Sequence, residues 1–365
     1  MVLAAHSTSN LFKPIKVGNM SLSHRVVMAP LTRLRTNPHT LVPLNVVKEY
    51  YSQRASTPGT FIISEGTVIT PKASAFPGVP GIWSEEQIAS WKTVVNQVHA
   101  QGSFIFLQIA SGGRAAQSAF LKQLDPTFEV VGPSDIPKDG GDIPRPMTVE
   151  EIKETVNLFA QAALNAVEKA GFDGVELHGA NGFLIEQFIS DVSNNRTDQY
   201  GGSVENRSRY PLELVDAISR AIGEERTAIR LSPWVKESNT DMKDPIPTYS
   251  YLISQLKERH INLAYLHLIE SRDLENPKES NEPLADIWLP RPLVLADGFT
   301  REKAFKRAEE QEGVLIAFGR DFISNPDLPI RLQADLPLAS YDRTTFYGGD
   351  ESGKGYTDYG FAIRN

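Results

Sequence analysis

The chain has 365 residues, of which 41% are hydrophobic and 22% charged, enough apolar content for a large core and too much for a disordered chain. Its net charge of −8 offers neither the basic surplus nor the basic stripe of a nucleic-acid binder. Cysteine is absent, which excludes disulfides, thiolate metal sites and cysteine nucleophiles.

In chain order, residues 1–10 lack the charged start and apolar run of a signal peptide, and no later apolar run is long enough to span a bilayer. The last four residues match no lipidation or retention signal, so a cytoplasmic protein is expected. Short apolar runs predict strands over 25–29 and 60–64. Apolar residues at helical spacing then predict a helix over 85–100, stopped by Gly102, before a third strand over 104–108. The stretch 111–147 is rich in Pro, Gly and Asp and reads as a long excursion over one face. Thr148-Val-Glu-Glu151 is a capping box that opens a helix running to Gly171. Strands over 174–178, 228–231, 263–268, 292–296 and 313–317 follow. Helices are expected over 209–222 and 249–259 and from Thr300, with a second excursion over 270–289. Gly348-Gly-Asp-Glu-Ser-Gly-Lys-Gly355 nearly fits a phosphate loop, but it lacks the final Ser or Thr and no helical pattern follows it.

Eight alternations of strand and helix predict an α/β fold: a closed (β/α)8 TIM barrel with loop excursions over its C-terminal face. A doubly wound open sheet is the alternative, and the dinucleotide fingerprint it would normally carry is missing. No linker or low-complexity tract divides the chain. It reads as one domain over 1–365, with the barrel over about 11–360 and short extensions at each end.

In such barrels the chemistry sits where the strands end. Strand four runs into His178-Gly-Ala-Asn181, a pair that alone could merely cap a turn. Together the two can aim hydrogen-bond donors at one carbonyl oxygen. Gln108 offers both a donor and an acceptor, which suits a pyrimidine edge, and Arg230 is a permanent cation beside it. Gly298, Gly319 and Arg320 follow the last two strands and suit a phosphate. Pro30, Leu31 and Thr32 end the first strand, and Gly66 follows the second.

These residues resemble the Old Yellow Enzyme family of FMN-dependent ene-reductases, in its fungal branch. The likeness rests on Met28-Ala-Pro-Leu-Thr-Arg33, Pro80-Gly-Ile-Trp83-Ser-Glu-Glu86, His178-Gly-Ala-Asn181-Gly, Phe318-Gly-Arg320 and the run 191–207. It spans the chain from about Leu11 to Tyr359. The resemblance implies non-covalent FMN, reduced by NADPH, with Pro30, Leu31, Thr32, Gly66, Gln108 and Arg230 at its ring and ribityl parts. Gly298, Gly319 and Arg320 would hold its phosphate. His178 and Asn181 would bind the carbonyl oxygen of an activated alkene, the small-molecule substrate. No metal, nucleic acid or membrane partner is implied. A homodimer is compatible with the fold, although no stripe of residues marks an interface.

The chain departs from the family at four positions. The proton-donor tyrosine is replaced by Phe183, which has no proton to give. A second pocket tyrosine is Phe76, the tryptophan two residues after Gln108 is Ala110, and Asp297 stands where glycine is common. Three readings follow. The enzyme reduces alkenes with Tyr347 or water as the acid; or it catalyses a redox-neutral isomerisation or an oxidation of a specialised metabolite, as ergot-alkaloid members with Phe here do; or Phe183 is neutral. The rivals are a glycosidase using Glu65, Glu176 or Glu270, a metal enzyme built on His178, Asn181 and His267, and a flavin-binding scaffold without catalysis.

Overall fold

In the computed structural model, which describes residues 8–236, 239–272 and 278–362, eight parallel strands close into a barrel. They are β1 (Val26–Met28), β2 (Phe61–Ile63), β3 (Phe104–Ala110), β4 (Gly174–Gly179), β5 (Thr227–Leu231), β6 (Tyr265–Ile269), β7 (Leu293–Ala296) and β8 (Val314–Phe318). Each pairs with its neighbours in sequence, and β8 closes the ring on β1 through Ile316 opposite Val26 and Phe318 opposite Met28. All eight anticipated strands are present.

The period of two along each strand sorts side chains between two cores. One parity, including Leu107, Val175, Leu177, Ile229 and Leu266, packs outward with the helices. The other parity forms the barrel interior from Val27, Phe61, Phe106, Ala228, Tyr265, Val294 and Leu315. A hairpin, Ile15–Val17 with Met20–Leu22, buries Val17, Met20 and Leu22 in that interior cluster. Its turn at Gly18 has φ +52 and lies so close to the Glu225 carbonyl that a Cβ would come within 2.0 Å of that oxygen. Glu225 precedes β5, so the hairpin floors the N-terminal end and leaves the C-terminal end as the mouth.

The surrounding helices include α1 (Asn45–Arg54), α2 (Glu85–Ala100), α3 (Val149–Leu164), α4 (Val204–Ile222), α5 (Ile246–Arg259), α6 (Glu282–Trp288) and α7 (Arg301–Glu310). The Thr148 capping box forms in both directions: Glu151 N–H donates to Thr148 Oγ1 at 3.2 Å, and Thr148 N–H donates to Glu151 Oε2 at 2.8 Å. That helix ends in a π turn, Asn165–Ala170, before left-handed Gly171. The helices differ from the expectation in three respects. Helix α4 begins five residues earlier than residue 209, because Ser203 caps it and Pro211 is accommodated inside it. Helix α5 begins at Ile246, three residues early. The excursion expected over 270–289 contains α6, while its residues 273–277 lie outside the described part.

The 111–147 excursion carries the short helix Ser118–Leu124 and two brief strands, and is pinned over the β2–β4 side of the mouth. Arg114 Nη1 donates to the Ile136 carbonyl at 3.1 Å. Arg196, from the 191–207 run, donates to the carbonyls of Pro133 (2.9 Å) and Met147 (2.7 Å). The run is therefore scaffolding between the excursion and the strand-four loop.

Candidate active site

The interior face changes character toward the mouth. On β3 it runs from Phe106 to Gln108, on β4 from Glu176 to His178, on β5 from Ala228 to Arg230, and on β6 from Tyr265 to His267. Cross-strand register sets Arg230 opposite both His178 and His267, and Gln108 opposite Glu176. A polar belt thus crosses four adjacent strands on top of an apolar plug.

Above it opens a cavity of about 750 Å³, within the range of cofactor and ligand pockets. Nine of the thirteen anticipated site residues line it: Pro30, Leu31, Thr32, Asn181, Arg230, Gly298, Gly319, Arg320 and Tyr347. The other four, Gly66, Gln108, His178 and Phe183, do not line it; they cluster around His178, which is paired in register with the lining residue Arg230. Gly66 faces Gln108 and His178, since a Cβ there would lie 3.5 Å from Gln108 Oε1 and 3.9 Å from His178 Cδ2. Phe183 stacks on His178 with ring centroids 4.6 Å apart and planes 30° apart. The excursion over 111–147 lines a separate cavity of about 150 Å³ beside it, with Ile69, Thr70, Ser111 and Leu184.

Burial, seconded by the positive charge of Arg230, pushes the His178 imidazole down to about 3. The ring is therefore neutral at ordinary pH and has one N–H to donate; its buried Nδ1 has no partner within the protein. Asn181 sits in the left-handed region at φ +56, held there by its surroundings. Its backbone N–H donates to Ser232 Oγ at 2.9 Å, Ser232 Oγ donates to Glu186 Oε1 at 2.5 Å, and Gly182 N–H donates to Glu186 Oε2 at 2.5 Å. Burial pushes the Glu186 carboxyl up to about 7. Nothing in the strand pattern pointed to Glu186; it lies in the short helix Leu184–Ile189, and its only sequence signal is a carboxylate in a fully buried apolar turn.

At the other end of the cavity Gly298 takes φ +71, and a Cβ on Gly319 would press to 3.3 Å from Leu31. Arg320 reaches Tyr341 OH at 3.4 Å. Asp297, at φ +75, binds its carboxylate to Arg272 at 3.2 Å, so its charge is paired. Tyr341, Arg343 and Phe346 also line this end. Sequence reasoning missed them because they follow the last strand, where no strand end fixes their place. Arg33 holds that segment: its guanidinium donates to the carbonyls of Phe346 (2.9 Å) and Gly355 (2.9 Å) and lies beside the stacked rings of Tyr50 and Tyr356, 5.1 and 4.8 Å from their centroids.

The carboxylates of the glycosidase rival are occupied elsewhere. Glu65 accepts the backbone N–H groups of Arg33 and Leu34, Glu176 accepts from three side chains, Glu270 accepts from Asn281, and none of the three lines the large cavity. Among the described residues no group of three or more His, Asp or Glu is placed to hold a metal ion. No helix among them is long and apolar enough to cross a membrane.

A barrel with a polar belt at its C-terminal mouth, two glycine positions and an arginine at one end and a neutral histidine at the other is built for a flat, phosphorylated cofactor. Residues 10–339 match the model of the NADH:flavin oxidoreductase / NADH oxidase family. The chain belongs to that family and is an FMN-dependent oxidoreductase of the Old Yellow Enzyme type. It is 47% identical over 371 residues to "NADP-dependent oxidoreductase lnbE" of Aspergillus flavus, covering 97% of both chains. It is 45% identical to "Probable inactive reductase easA" of Epichloe festucae var. lolii, over 98% of this chain and 96% of that one. The crystal structure of Old Yellow Enzyme from Pichia sp. AKU4542 superposes with a TM-score of 0.90 at 36% identity, over 98% and 95% of the two chains.

Proposed function

We propose that this protein is an NADPH-dependent reductase of carbonyl-conjugated alkenes in fungal specialised metabolism. The residues fit FMN. Gln108 and Arg230 offer polar atoms at the depth of the ring, and Arg230 Nε is buried without a partner. Pro30, Leu31 and Thr32 line the wall, Gly66 lies against Gln108 and His178, and Gly298, Gly319 and Arg320 would hold the phosphate. Bound FMN supplies the hydride, taken from NADPH and passed to the alkene. The observation that carries the substrate class is the neutral His178 beside left-handed Asn181. Two uncharged donors on one carbonyl oxygen favour the negative charge that grows there as the β-carbon accepts hydride. The proton for the α-carbon comes from Tyr347, 64% exposed at the cavity rim, or from water.

A second reading is favoured by the Phe183–His178 stack. With an inert ring in the donor's place, hydride added to the β-carbon would not be trapped by a proton and would return to the cofactor after the carbon–carbon bond has turned, a redox-neutral isomerisation; the alternative is net oxidation of the substrate, with the cofactor as acceptor. The similarity to a relative named as an inactive reductase points the same way.

The test is anaerobic addition of NADPH to the flavin-loaded protein, followed by a simple cyclic enone, with the visible flavin band as readout. Bleaching by NADPH and recovery with the enone support the reductase. Bleaching without recovery, or no bleaching, overturns it in favour of the second reading. Protein that cannot be reconstituted with FMN overturns both.

A further inference from the structure

One inward position below His178, the carboxylate of Glu176 is fully buried and accepts three hydrogen bonds. Gln108 Nε2 donates to Oε1 at 2.7 Å, while Tyr265 OH (3.0 Å) and His267 Nδ1 (2.8 Å) donate to Oε2. Burial keeps the His267 imidazole neutral, so its single proton sits on Nδ1, facing the carboxylate. Burial also works to raise Glu176; the neighbouring His267, Arg230 and Gln108 outweigh it and keep the carboxylate charged.

A carboxylate only accepts. Gln108 must therefore turn its NH2 down toward Glu176, which leaves its carbonyl Oε1 facing the Gly66 side of the mouth. A ligand edge meeting Gln108 must bring an N–H, which a pyrimidine ring nitrogen does. The reversed amide would set donor against donor and leave two buried groups unpaired.

We propose that Glu176 is a positioning residue that locks the Gln108 amide with its carbonyl toward the flavin pyrimidine, and that its fixed negative charge sets how readily the bound flavin accepts electrons. This rests on the reading that Gln108 and Arg230 hold the ring. Electrons added above a buried carboxylate meet its repulsion, which water does not screen inside the barrel. Arg230 offsets that charge, so the pair holds the cofactor's potential between the values either ion alone would impose.

The experiment compares the wild-type, Glu176→Gln and Gln108→Leu holoproteins by FMN dissociation constant and by flavin midpoint potential against a reference dye. Glu176→Gln is expected to favour the reduced cofactor over the oxidised one by about tenfold, a rise of ~30 mV for a two-electron couple. A folded Glu176→Gln protein with the wild-type potential overturns the proposal. If Gln108→Leu leaves FMN affinity and spectrum unchanged, the underlying placement of the ring is wrong instead. A measurement that needs no variant is reconstitution of the wild-type apoprotein with N3-methyl FMN. At least tenfold weaker binding than FMN is expected, and equal affinity overturns the locked orientation.

Discussion

The His178 imidazole and the Phe183 ring lie stacked, centroids 4.6 Å apart. On the proposed reading, in which His178 binds the substrate carbonyl, an acid in place of Phe183 would stand next to that substrate. Phe183→Tyr is expected to speed turnover of a simple enone by about tenfold or more, the lower end of what a positioned general acid contributes. Rapid-mixing kinetics of flavin reoxidation by the enone measure this. Unchanged or slower reoxidation would show that protonation already has an adequate source.

Glu186 gives a pH signature. Its carboxyl is held up at about 7 by burial, against an ordinary 4.5, so the folded protein keeps a proton that the unfolded chain releases. The resulting stability is full below about pH 4.5 and disappears as pH rises through 7. Glu186→Gln cannot titrate. Its melting temperature is expected to fall less than that of the wild type between pH 4.5 and 7.5, because the wild type alone loses about 3 kcal/mol of stability to this group across the window. Parallel melting curves across that range would refute the assignment.

Asp297 has a left-handed backbone and a carboxylate shared with Arg272, at the end of the cavity suited to phosphate. Asparagine tolerates the same backbone and removes the charge. Asp297→Asn is expected to tighten FMN binding about two- to tenfold at low ionic strength and less in 0.5 M salt, where screening shortens the repulsion. Fluorescence titration of apoprotein with FMN reads it. Weaker binding would mean that the Asp297–Arg272 pair shapes the phosphate end rather than burdening it.

Arg33 joins the first strand's loop to the chain after β8. Arg33→Met would leave the carbonyls of Phe346 and Gly355 without their donor. The expected cost is about 2–4 kcal/mol, with early protease cleavage in residues 341–359. Thermal unfolding with limited proteolysis tests it; wild-type resistance in that segment would mean the Tyr50–Tyr356 stack suffices to hold it.

The strands were legible because a buried parallel strand is a continuous apolar run, and eight such runs stood between polar stretches. Helix α1 left no cap to read: Leu44 precedes it without a side-chain hydrogen bond. Helix α6 was hidden because Pro283 and two charges interrupt its seven residues. Site residues at strand ends could be placed from the period of two alone. Residues such as Glu186 and Arg343 could not, since their positions depend on how a short helix and a trailing segment pack, and no periodicity encodes that. The pairing of Asp297 with Arg272 was likewise invisible, since the partners are 25 residues apart in different loops.

The alternation of the interior face has a genetic corollary. Apolar floor and polar belt occupy one parity of the same short strands, so chemistry and folding share a reading frame. Inserting a single residue early in β4 would carry Glu176 and His178 out among the helices and turn Val175 and Leu177 toward the cofactor. Such a lesion forfeits the core and the reaction together, whereas changes of any length beyond the strand ends leave the frame intact. New substrates are therefore to be reached by rewriting loops and by exchanges at fixed inward positions, not by insertions or deletions within the wall.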